Sequence, residues 1–197
     1  MTFLRLTGCP LRCVWCDTAY AFQGGTLMSL DGIMEEVERL GAPVVEITGG
    51  EPLVHRNAFV LARRLLDEGY TVLVETSGAV DVSALDHRVH KIMDLKCPGS
   101  GESSKNLWSN LDHLTGRDEL KFVILDRTDY EWARDVVRQR RLHDRVFAGS
   151  LRAIHFSPVW DQLHLPDLAR WILYDRLDVR LQLPLHKVIW GANVPGV

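Results

Sequence analysis

Short β-branched runs alternate with helix-length amphipathic stretches along this chain. That order predicts an α/β protein with a mainly parallel sheet. The strand candidates are FLRLT (3–7), VVEIT (44–48), TVLVET (71–76), KIMDLK (91–96), LKFVIL (120–125), AIHFS (153–157) and VRLQL (179–183). Between the first two, SLDGIMEEVERLG puts Ile33, Met34, Val37 and Leu40 on one helical face, with Ser29 as N-cap and Gly41 as the stop. A second helix, Ala58 to Glu68, turns Phe59, Ala62, Leu65 and Leu66 inward and ends before Gly69. Thr128 and Glu131 have capping-box spacing for a third helix that buries Trp132, Val136 and Val137. A fourth opens at Pro166 and runs through Leu168, Trp171 and Ile172. KCPGSGESSKNLWSN (96–110), rich in Gly, Ser and Asn, reads as a loop after a strand.

No linker, repeat or low-complexity tract divides the chain. A closed eight-stranded barrel takes about 250 residues, so 197 residues predict an incomplete, open TIM-like barrel of mostly parallel strands with flanking helices. In such sheets ligands gather beyond the carboxyl ends of the strands. Four candidate strands end there in chemistry: the first runs into TGCPLRCVWCD, the second into TGGEP, the third into ETSG and the fourth into DLKCP.

Composition narrows the classes. With 46% hydrophobic and 25% charged residues the chain is ordinary globular material, and a net charge of −3 gives no basic excess for nucleic acid. No apolar run approaches the roughly 18 residues of a membrane span, and the first residues lack a secretory signal. The expectation is a cytoplasmic protein with a small-molecule partner, without nucleic acid or membrane. Thiols stay reduced in that compartment, so clustered cysteines read as metal-binding or catalytic. Cys9, Cys13 and Cys16 offer three thiolates from one loop; Cys97 lies far downstream and reads as a bystander. A structural zinc site wants four ligands, whereas three thiolates on a four-iron cubane leave one iron free. An iron-sulfur cluster, a zinc site and ordinary buried thiols are the three readings of the loop alone. Gly-Gly after a strand is, alone, a turn.

Together these motifs resemble a known family. Cys-x3-Cys-x2-Cys with an aromatic before the last cysteine, followed by Gly-Gly-Glu-Pro after the second strand, is similar to the radical S-adenosylmethionine enzymes. RLTGCPLRCVWCDTAYAF, EITGGEPL, VETSG, DLKCPGSGE and LQLPLHK are similar to the 7-carboxy-7-deazaguanine synthases of queuosine and 7-deazapurine biosynthesis. The resemblance implies a lyase that converts 6-carboxy-5,6,7,8-tetrahydropterin to 7-carboxy-7-deazaguanine with loss of ammonia. It implies a [4Fe-4S] cluster on Cys9, Cys13 and Cys16, the source of the radical, and S-adenosylmethionine against Trp15, Cys16, Asp17, Gly50, Ser77, Asp94, Leu95, Lys96, Ser157, Pro158 and Val159. It places the pterin at Arg5, Thr48, Glu75 and His186, and Mg2+ on the hydroxyl of Thr18. A flavodoxin- or ferredoxin-like electron donor and a homodimer are the implied partners. Family members begin earlier, with a strand and a Gln-Gly-Glu-Gly-like loop, so the expectation is a single radical S-adenosylmethionine domain over 1–197 lacking that piece. KVIWGANVPGV runs past the end of some members, and its contact is left unassigned. A glycyl-radical activase shares the cysteine spacing and the Gly-Gly-Glu-Pro turn, and a non-catalytic metal-binding module is the reading from another class.

Overall fold

The computed structural model describes residues 1–192 and 194. Seven strands form one all-parallel sheet in the order of the sequence: β1 (Thr2–Leu6), β2 (Val44–Gly49), β3 (Thr71–Thr76), β4 (His90–Asp94), β5 (Glu119–Ile124), β6 (Ala153–Pro158) and β7 (Arg180–Leu181). Each pairs only with its sequence neighbours, so β1 and β7 are edges and the barrel is open. Each predicted strand exists. The seventh, though, shrinks to two residues, and the fourth ends at Asp94, which leaves Leu95 and Lys96 beyond the ladder.

The helices α1 (Leu30–Leu40), α2 (Arg56–Asp67), α3 (Arg127–Gln139), α4 (Leu142–Phe147) and α5 (Leu165–Asp175) cover the outer face, and α6 (Leu185–Trp190) follows β7. Ser29 caps α1 by accepting from the Gly32 N–H at 3.0 Å, a bond worth about 1 kcal/mol, and Gly41 ends it in the left-handed region at φ +68°. α3 is capped two residues earlier than its sequence suggests. The side chain of Asp126, not Thr128, accepts from the Asp129 N–H, so the first turn starts at Arg127. On α1 Val37 is fully buried, but Leu40 is 52% exposed because the helix ends as it leaves the sheet. Trp132 is only partly buried; Tyr130 and Ala133 take the buried face of α3. The 96–110 segment is not featureless, since it winds into 3-10 turns at Pro98–Ser100, Ser103–Lys105 and from Trp108 onward.

Two apolar clusters lie between sheet and helices. One joins Val45, Ile47, Val72 and Val74 to Val37, Leu61 and Leu65; the other joins Met93, Leu120, Phe122 and Phe156 to Tyr130, Val137 and Leu168. Because strand side chains alternate, burying these residues outward turns Arg5, Glu46, Thr48, Glu75, Asp94, Lys121 and Ser157 to the inner face. That face is polar, and it lines a cavity. Among the described residues no helix is long and apolar enough to cross a membrane.

Candidate active site

The cysteine loop is pinned at several points. After β1, the His55 Nε2 donates to the Thr7 carbonyl at 2.6 Å, and Gly8, at φ +89°, donates to the Ala21 carbonyl at 2.8 Å. Leu11 is buried as the loop's anchor. Arg12 reaches back to the Cys9 carbonyl at 2.8 Å and lies 4.3 Å over the Phe22 ring, while its N–H donates to Glu102 Oε1 at 2.7 Å. Val14 donates to the Ser100 carbonyl at 3.1 Å. The segment after β4 thus grips the loop that follows β1, and Cys9, Cys13 and Cys16 line the cavity half-buried. Burial pushes the thiols of Cys9 and Cys13 above the usual range, with the Lys96 ammonium working the other way. Soft donors of this kind lose their protons when a metal binds them.

The TGGEP turn supports the same loop. Gly50 donates to the Leu6 carbonyl at 3.0 Å and Glu51 to the Gly8 carbonyl at 2.9 Å. A Cβ on Gly50 would strike the Gly8 carbonyl and come within 2.8 Å of Cys9 Cβ, so the close approach this glycine permits is first of all to the cysteine loop. Glu51, fully buried, accepts from the Leu53 N–H at 3.0 Å, the Thr76 hydroxyl at 3.0 Å and the Ser77 N–H at 2.7 Å. It fastens the exit of β2 to that of β3.

Charges ring the inner face. Lys121 Nζ stands 2.6 Å from Glu75 Oε1, and the Thr48 hydroxyl donates to Glu75 Oε2 at 3.2 Å. Lys121 beside it holds the Glu75 carboxyl below the usual range; burial works against the Lys121 ammonium, but Glu75 and Asp94 more than offset this and raise it. Lys96 Nζ sits 2.8 Å from Asp94 Oδ2, and Asn106 holds the Lys96 backbone with two 2.9 Å bonds. Asp94 Oδ1 is buried with no partner among the described residues. Arg5 donates to the Gly49 carbonyl at 3.3 Å. Across the mouth, Lys187 of α6 reaches Asp17 Oδ2 at 3.3 Å, and the Thr18 hydroxyl donates to Asp17 Oδ1 at 2.9 Å.

All these groups meet in one cavity of about 680 Å3 at the carboxyl ends of the strands. Trp15, Asp17, Thr18, Ser77, Ser157, Pro158, Val159 and His186 line it with the three cysteines, Arg5, Thr48, Gly50, Glu75, Asp94 and Lys96. Leu95 does not. Its side chain is fully buried in the outer core beside Met93, so only its backbone is available there. His186 comes from α6 rather than from a strand end. Part of the KVIWGANVPGV tail, at 193 and 195–197, lies outside the described residues.

Residues 4–99 match the Radical SAM superfamily. A 7-carboxy-7-deazaguanine synthase of Koribacter versatilis (strain Ellin345) is 47% identical over 210 residues, spanning 99% of this chain and 90% of that protein. The chain belongs to the 7-carboxy-7-deazaguanine synthase family. A second 7-carboxy-7-deazaguanine synthase, from Chlorobaculum tepidum, is 41% identical over 99% of this chain and 87% of its own length. The crystal structure of QueE from Escherichia coli superposes with a TM-score of 0.68 at 24% identity, covering 92% of this chain and 83% of that one, and it shows the fold alone. Membership of the 7-carboxy-7-deazaguanine synthase family sets aside both the activase and the non-catalytic module. Four cavity or supporting residues were given no site role from the sequence: Glu46, Glu51 and Lys187, which lie inside the quoted motifs, and Lys121. For Glu46 the signal was available, because a carboxylate inside VVEIT, where a covered parallel strand should be apolar throughout, marks a polar inner face.

Proposed function

We propose that this chain is a radical S-adenosylmethionine lyase that converts 6-carboxy-5,6,7,8-tetrahydropterin to 7-carboxy-7-deazaguanine with release of ammonia. The observation that carries the reading is the shared cavity, in which three thiols of one pinned loop face a charged floor. The donor set fits the cofactors. Cys9, Cys13 and Cys16 would hold a [4Fe-4S] cluster through three sulfurs, and the partnerless Asp94 Oδ1 is an acceptor for a donor group of S-adenosylmethionine. When bound, the cluster and S-adenosylmethionine would supply the radical chemistry that begins at C6 of the pterin.

The chain's own residues position and shield. Trp15, Cys16, Asp17, Gly50, Ser77, Asp94, the Leu95 backbone, Lys96 and Ser157 to Val159 surround S-adenosylmethionine. Arg5, Thr48, Glu75 and His186 hold the pterin, whose carboxylate and polar ring need partners once water is excluded. The Thr18 hydroxyl would hold Mg2+, an ion that one protein oxygen suffices to position because it otherwise keeps water. The electron comes from a flavodoxin- or ferredoxin-like protein in the cytoplasm, and the working unit is a homodimer.

The test is anaerobic reconstitution with iron and sulfide, reduction, and incubation with the carboxytetrahydropterin. The deazaguanine acid and ammonia are expected from the wild type and from Cys97→Ala. Alanine at Cys9, Cys13 or Cys16 should abolish product and cluster absorbance together. Cleavage of S-adenosylmethionine by the wild type without that product would overturn the assignment.

A further inference from the structure

Two residues below Thr48 on β2, and so about 7 Å deeper in the cavity, sits Glu46. It is only 8% exposed and lines the cavity, yet among the described residues it makes neither a hydrogen bond nor an ion pair. The charged groups that face it are Arg5 from β1, Glu75 from β3 and Lys121 from β5. Each of these is already engaged: Lys121 with Glu75, Glu75 through Oε1 to Lys121 and Oε2 to Thr48, and Arg5 with the Gly49 carbonyl. Glu46 is therefore the carboxyl group on this floor with both oxygens uncommitted.

A carboxyl this far from bulk solvent, open only to the cavity it lines, is placed to accept donors from whatever fills that cavity. The substrate of the proposed reaction has such a pair, an exocyclic amine beside a ring N–H, spaced to meet the two oxygens of one carboxylate. We infer that Glu46 is the specificity-determining residue for that edge, accepting from the 2-amino group and the neighbouring ring N–H. The inference rests on the function proposed above.

The site's electrostatics give this contact a signature. Without ligand, burial and the charge of Glu75 push Glu46 up to about 7, with Lys121 and Arg5 opposing. Two N–H donors favour the ionised form, so substrate binding below that pH releases a proton, and binding tightens as pH rises from 6 to 8.

The test uses the reconstituted holoprotein with S-adenosylmethionine. Calorimetric titration with the pterin at pH 6, in two buffers of different ionisation enthalpy, counts protons; steady-state kinetics from pH 6 to 8 give KM and kcat. The wild type should release about one proton per pterin bound and show KM falling with pH. Glu46→Gln should raise KM by about tenfold or more, change kcat far less, abolish both the proton release and the pH dependence of KM, and keep its cluster absorbance. It should also narrow the preference for the pterin over the analogue with oxygen in place of the 2-amino group. Wild-type binding without proton release, or a Glu46→Gln variant with unaltered KM and pH profile, would overturn the inference while leaving the reaction intact. A wild type that makes no deazaguanine product would overturn the reaction and the inference together.

Discussion

The carboxylate of Glu51 accepts the backbone N–H of Ser77 at 2.7 Å, and so joins the turn that carries the cysteine loop to the strand end beside it. The same carboxylate takes the Leu53 N–H and the Thr76 hydroxyl, all out of contact with water. Glu51→Ala would leave those donors buried and unpaired, each costing about 1–3 kcal/mol. The expected loss of stability is about 3 kcal/mol or more, read as a lower urea midpoint. Glu51→Gln keeps one acceptor and should fall between.

At Gly50 the prediction concerns the cluster as much as the fold. The added methyl group of Gly50→Ala meets the Gly8 carbonyl and Cys9 Cβ, and neither belongs to a flexible side chain. Crowding of this kind costs about 1–3 kcal/mol. Because the neighbour that must yield is the cysteine loop, the variant should also retain less iron per chain after reconstitution. A loss of stability with full iron content would show that the loop tolerates the shift.

Lys121 and Glu75 give a pH dependence whose sign follows from their shifts. Glu75, held below its usual range, contributes stability that is complete above about pH 5 and is lost as pH falls through its folded pKa. Lys121, held above its usual range, contributes stability present below about pH 10 and lost as pH rises through its folded pKa. Between those limits the pair's contribution is flat. Lys121→Met leaves Glu75 close to Glu46 with its cation gone, which should cost about 3 kcal/mol at pH 7, the low end for a buried pair because both side chains keep some exposure. The variant should then be less destabilised at pH 5 than at pH 7, as measured by denaturant midpoints at both.

Much of this was legible in the residues. Ser29 and Gly41 bound α1 as read, because a cap and a left-handed stop are local decisions. The cysteines, TGGEP and DLKCP marked the functional edge because a parallel sheet brings successive strand ends together. What was missed depends on the third dimension. Asp126 competes with Thr128 for the same cap, and only the path of the chain out of β5 decides between them. α4 and α6 are six residues each, too short for a clear period. Lys121 looks like an ordinary solvated position in an alternating strand until the sheet curls and turns its side of it inward. Leu95 lay inside a run of ligand-facing residues, yet alternation sends its side chain to the opposite face.

The ion pair between Asp17 and Lys187 ties the segment that follows the last loop cysteine to α6. During synthesis the thiols of that loop emerge well before the helix that walls their pocket. Until α6 has been made, the loop has no wall on that side. A metal group held by Cys9, Cys13 and Cys16 would gain that wall only once α6 has docked.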